Sequence, residues 1–136
     1  MVSILGIDPG SRCTGYGIVH DGVKGPVLVT YGTIRTEAES LPERLREIYA
    51  GIYQIAREYR PTEAAVEEIF MAKNPDSALK LGHARGAAIC AVMNAGLGVH
   101  EYAARHVKQA LVGKGSADKS QVQHMVKFLL GVHEVL

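Results

Sequence analysis

The feature that most constrains the fold of this sequence is a short apolar run that stops on an acid. Val2 to Ile7 reads as a buried strand, and Asp8-Pro9-Gly10 ends it in a turn. An acidic side chain at that point belongs at a sheet edge, where water can reach it. Turn aspartates are common, so Asp8 needs a partner before it means anything chemical.

Two β-rich stretches follow, Thr14 to His20 and Val27 to Arg35, separated by Asp21-Gly22 and Gly25-Pro26. With the first run they predict a three-stranded antiparallel meander. The period then changes. Leu41, Leu45, Ile48, Tyr49, Ile52, Ile55, Ala56 and Tyr59 recur at helical spacing, and Ser40-Leu41-Pro42-Glu43 matches a capping box with proline in the first turn. Glu63 to Phe70 reads as a fourth strand. A helix rich in small residues is expected from Asn74-Pro75 to about Asn94, where Ala84, Gly86, Ala87, Ala88 and Ala91 permit close approach of the sheet or of a second subunit. Val99 to Tyr102 is expected as a fifth strand, then a short helix over 104–112, the loop Gly113-Lys114-Gly115-Ser116 and a last helix over 117–130.

Strands first, then helices alternating with strands, is an α/β pattern with a mixed five-stranded sheet flanked by helices. A right-handed crossover through the first long helix returns the fourth strand parallel to the first. If these two are neighbours, Asp8 and Glu67 meet at the carboxyl edge of the sheet, where open α/β sheets place their sites. Glu67 interrupts the apolar run Ala64-Ala65-Val66, and a carboxylate there is costly unless it is paired or binds metal. Glu68 points to the other face, so only one of the two acids can join Asp8.

Two carboxylates on adjacent strands make a hard oxygen site suited to Mg²⁺ or Mn²⁺, and no Cys/His spacing resembles a zinc site. With two ions such a site can hydrolyse a phosphodiester in line, although two acids are few for it. The charge distribution fits a polyanionic substrate. Residues 1–68 carry 7 basic and 10 acidic side chains, whereas residues 69–136 carry 8 and 4 with five of the six histidines. Phe70 could stack on an unpaired base, and Lys108, Lys114 and Lys119 with Arg105 and His106 could straddle phosphates, although each is individually ordinary as a core or surface residue.

At 136 residues one domain with one core is expected. Cys13 and Cys90 are far apart and no charged segment precedes an apolar run at the start, so a reducing cytoplasm is the expected setting. Gly86 to Val99 is too short and too interrupted to span a bilayer. A rival reading takes Gly6 to Gly17 as the phosphate hairpin of an actin-like ATPase, but two such domains are needed to enclose a nucleotide, and no Walker pattern is present.

Several stretches together resemble the RuvC family of bacterial Holliday-junction resolvases: LGIDPGSRCTGYGIV, LPERLREIYAGI, VEEIFMAKNPDSALKLGHARG, EYAARHVKQALVG and GSADKSQVQHMV. The resemblance implies an RNase H-like fold over residues 1–136 and a homodimer that nicks opposed strands of a four-way DNA junction in recombination and repair. It implies Mg²⁺ at two ions per complete site, and the RuvA–RuvB branch-migration complex as partner. It assigns metal binding and catalysis to Asp8 and Glu67, base contact to Phe70, and DNA handling to Lys108 and Lys119. The family completes its site with Asp-x-x-Asp or His-x-x-Asp on a final helix, whereas this sequence ends His133-Glu134-Val135-Leu136. A shortened chain that binds junctions without cutting them is therefore the alternative expectation.

Overall fold

The computed structural model describes residues 3–20, 23, 27–67 and 75–102. Its elements are β1 (Ser3–Asp8), β2 (Cys13–His20), β3 (Val27–Arg35), α1 (Leu41–Tyr59), β4 (Glu63–Glu67), α2 (Pro75–Asn94) and β5 (Gly98–Tyr102). The five strands form one mixed sheet in the order β3-β2-β1-β4-β5. β1, β2 and β3 are the antiparallel meander, and β4 lies parallel to both β1 and β5. The expected continuation of the fourth strand to Phe70, the glycine loop at 113–116 and the helices at 104–112 and 117–130 lie outside the described residues.

The alternation along the strands decides which side of the sheet is the core. Leu5 and Ile7, Ile18, Ala64 and Val66 lie on one face and are buried against α1 and α2. α1 supplies Ile48, Ile52 and Ala56 at four-residue spacing, so its apolar stripe runs straight down the helix. Burying each of the two isoleucines contributes about 1.5–3 kcal/mol. Gly51 lets the helix approach closely, since a Cβ there would fall 2.6 Å from Ile34 Cδ1. The amino-terminal cap at Ser40 follows the sequence. Ser40 Oγ accepts from the Glu43 amide at 3.3 Å, and Arg60 closes the helix at φ 49°, donating its amide to Ala56 O.

The small residues of α2 are consumed inside the chain. Ala84, Ala88 and Ala91 are fully buried against α1 and the sheet, and Ala87 packs beside them. The face of α2 left exposed carries Leu79, His83, Gly86, Cys90 and Met93. The sequence allows the sheet or a second subunit to cover the alanines and points to a dimer built on this helix at Ala87 and Ala88; Ala88 is instead buried within the chain, so it cannot meet a second subunit. At the far margin, β3 leaves Val27, Leu28, Val29 and Tyr31 exposed on an edge strand.

Two side chains tie the framework together away from the ladders. The Ser3 amide donates to Thr62 Oγ1 at 2.9 Å, and both the amide and the hydroxyl of Thr62 donate back to Ser3 O, which closes the amino end of the β1–β4 seam. Glu47 on α1 accepts the amides of Glu37 and Ala38 at 2.9 and 2.8 Å and so pins the loop between β3 and α1. These two hydrogen bonds hold its carboxyl below the usual glutamate value, with the Arg44 guanidinium a smaller influence. A depressed carboxyl contributes stability that is complete above its unfolded value and is lost as pH falls through the folded one. Glu47→Gln should therefore melt below the parent at pH 7. The two melting curves should converge once the pH has fallen below the depressed folded value.

Candidate functional site

Asp8 and Glu67 are the last residues of β1 and β4. The parallel register runs from Ile4 opposite Glu63 to Ile7 opposite Val66, so the next step along the seam brings Asp8 level with Glu67. Neighbouring strands lie about 4.8 Å apart. Because Ile7 and Val66 face the helices, the two acids face the opposite side of the sheet. Both are partly buried. The structure thus brings together the pair of carboxylates expected from the sequence, on one face and at one edge.

Local sequence builds the surroundings of Asp8. The turn from Pro9 to Arg12 is drawn tight by Thr14, a fully buried residue whose hydroxyl donates to Gly10 O at 2.8 Å and accepts the Gly10 amide at 3.3 Å. Glycine is required in that turn, because a Cβ on Gly10 would fall 2.4 Å from the Cys13 carbonyl oxygen. Thr36 holds the turn from the other side. Its amide donates to Arg12 O and its hydroxyl to Ser11 O. Across the ladder Asp8 stands opposite Gly15, and Gly6 opposite Gly17. Beside the carboxylate, β2 therefore carries no side chain on the site face at Gly15 and Gly17. The glycine-rich stretch that invited comparison with a phosphate hairpin is divided between one tight turn and a strand with two glycines on its site face.

Around Glu67 the notable residue is one that sequence reasoning missed. Arg85 of α2 donates Nε to Glu67 O at 3.0 Å, and its Nη2 forms an ion pair with Glu101 of β5. Glu101 is level with Val66 and shares its helix-facing side. A single arginine in an alanine-rich helix gives no signal in sequence, since only the fold shows what lies above it. Arg12, in the turn after Asp8, and Arg35, paired with Cys13 at the end of β3, are exposed at the same edge and were also missed.

Among the described residues no three His, Cys, Asp or Glu side chains come together as a metal-binding group. Asp8 and Glu67 are two hard oxygen donors, which suits a divalent cation of the Mg²⁺ class in kind. Phe70, Lys108 and Lys119 lie outside the described residues, as do Glu68, Lys73, Arg105, His106, Lys114 and Asp118. Cys13 and Cys90 are free thiols, the first partly buried and the second exposed. No helix of the described residues is long and apolar enough to cross a membrane.

Comparison with known proteins gives consistent results. Residues 4–135 match the family model described as crossover junction endodeoxyribonuclease RuvC. The RuvC of Methylococcus capsulatus is 69% identical over 131 residues, covering 96% of this chain and 79% of that protein. The RuvC of Acinetobacter baumannii is 58% identical over 132 residues, covering 97% and 73%. Among solved structures, T. thermophilus RuvC in complex with Holliday junction substrate superposes with a TM-score of 0.80 at 25% identity, over 99% of this chain and 96% of that one. A second Thermus thermophilus RuvC structure gives 0.73 at 36% identity, over 96% and 81%.

Proposed function

The chain belongs to the RuvC family of crossover junction endodeoxyribonucleases and has its RNase H-like fold, and from that premise we propose that it resolves four-way DNA junctions by metal-dependent hydrolysis of opposed phosphodiesters. The observation that carries this reading is the register that sets Asp8 level with Glu67 on the face away from the helices. Residues 1–136 act in it as a single nuclease domain. The actin-like ATPase reading has no comparable support.

Asp8 and Glu67 would hold the divalent ion, Mg²⁺ or Mn²⁺, with two ions in a complete site. A bound ion of this kind supplies charge neutralisation at the phosphodiester and activation of water. The protein's own contributions are positional. The β1–β4 seam fixes the spacing of the carboxylates, and the turn gripped by Thr14 and Thr36 fixes the direction of the chain after Asp8. The bare glycines of β2 let a sugar–phosphate backbone come close without meeting a side chain. Arg12 and Arg35 add positive charge at that edge, where two ionised acids would otherwise repel DNA.

Phe70 is assigned to stacking at the junction centre, and Lys108 and Lys119 to phosphate contacts. These assignments rest on the family resemblance, as does the partnership with RuvA–RuvB. We place the symmetric homodimer on the exposed face of α2, because two opposed strands need two sites at a fixed separation. Leu79→Glu combined with Met93→Glu should give a monomer in sedimentation where the parent gives a dimer.

The test of function is a synthetic four-way junction offered with Mg²⁺. Paired nicks in opposed strands, absent on linear duplex of the same sequence, support resolution. Binding without nicking under every divalent metal would leave only the junction-binding alternative.

A further inference from the structure

The Arg85 bridge has more specific geometry than a surface ion pair. Pairing between β1 and β4 extends to Val66, one residue short of Glu67, so the acid-bearing residue stands just beyond that ladder. There its carbonyl is gripped by Arg85 Nε. The same guanidinium is anchored by Glu101 on β5, the other neighbour of β4, and its side chain is only 17% exposed. Three elements, β4, β5 and α2, are thus clamped together at the residue that carries the candidate metal ligand.

We propose that Arg85 is the positioning residue for the Glu67 carboxylate, acting through the Glu67 backbone and not through the ligand itself. This deepens the metal-site reading of Glu67 and rests on it. The arrangement avoids a conflict that a direct contact would create. An arginine paired with the Glu67 carboxylate would compete with a cation for the same oxygens. Here the guanidinium lies on the helix side of the strand and its charge is offset by Glu101, while the carboxylate faces the other side. Lysine could not substitute. Its ammonium is a single point of charge without the rigid fork that serves a carbonyl and a carboxylate at once.

The test is Mn²⁺ affinity measured on the chain by water-proton relaxation, alongside thermal melting. Partners that orient a metal ligand typically matter 10–100-fold in affinity, and a contact through the backbone is one step further removed, so Arg85→Lys should weaken Mn²⁺ binding by about 10-fold. Glu101→Ala leaves the Nε donor in place but frees the guanidinium, and should weaken it by about 3-fold. That variant changes a half-exposed side chain and keeps the test open if Arg85→Lys does not fold. Glu101→Gln, which keeps an acceptor for Arg85, should restore affinity to near the parent value. Glu67→Gln is measured in parallel. If it leaves Mn²⁺ binding unchanged, the metal-site reading of Glu67 fails, and the role of Arg85 falls with it. If Glu67→Gln weakens binding while Arg85→Lys and Glu101→Ala lower only the melting temperature, Arg85 is a structural staple and the proposal is overturned.

Discussion

Asp8→Asn should remove junction nicking while leaving junction binding in place. The expected loss in the nicking-competent enzyme is about 1,000-fold or more, since electrostatic stabilisation by a bound metal is worth several kcal/mol at about 1.4 kcal/mol per tenfold in rate. The substitution is nearly isosteric. Asn accepts at one oxygen where the carboxylate accepts at two, so the turn after Asp8 should keep its shape through Thr14, Gly10 and Thr36. Affinity for the junction should hold or rise, because removing a negative charge near phosphates does not weaken attraction to them. Glu67→Gln should behave alike, and the double substitution should add little, as expected for residues acting as one unit. The measurement is single-turnover nicking on pre-bound four-way DNA, with gel-shift affinity beside it. A variant that still nicks within a few-fold of the parent would remove Asp8 from the site.

Ala88→Leu should destabilise the chain by about 1–3 kcal/mol, the usual cost of forcing methylenes into a filled core. Ala88 is fully buried in the layer where α2 meets α1 and the sheet. Ile48 and Ile52, from the stripe on which α1 depends, belong to the same buried cluster, so the added volume has no free side to enter. Urea titration reads the effect as a lower midpoint at unchanged slope. Gln54→Ala, on the exposed side of α1, should stay within about 0.5 kcal/mol. Equal effects at the two positions would show that α2 does not present Ala88 inward.

Much of this was legible in the sequence for identifiable reasons. The apolar run ending at Asp8 and the acid inside Ala64-Ala65-Val66-Glu67 carry strong local signals, and period two then forces Glu67 onto a defined face. α1 announced itself through Ser40, Pro42 and a four-residue stripe. What stayed hidden depends on contacts between distant segments. Arg85 is one basic residue among many until α2 lies under the end of β4. Glu47 reads as an ordinary helix-surface acid until the loop from β3 returns two amides to it. The alanines of α2 have no preferred side by composition, and only the placement of α1 decides that they face inward.

The link between Ser3 and Thr62 bears on how the carboxylate pair is assembled during folding. Those residues are 59 positions apart, whereas β1 and β2 meet across a short turn. With loop closure scaling as about (3/2)RT ln n, joining β4 to β1 costs roughly 2–3 kcal/mol more chain entropy than closing the first hairpin. Asp8 therefore sits in a hairpin that forms locally, while Glu67 arrives with the non-local seam. The pair exists only while that seam is shut, so its lifetime is governed by opening between β1 and β4, and amide exchange at Leu5 and Ala64 would report that opening.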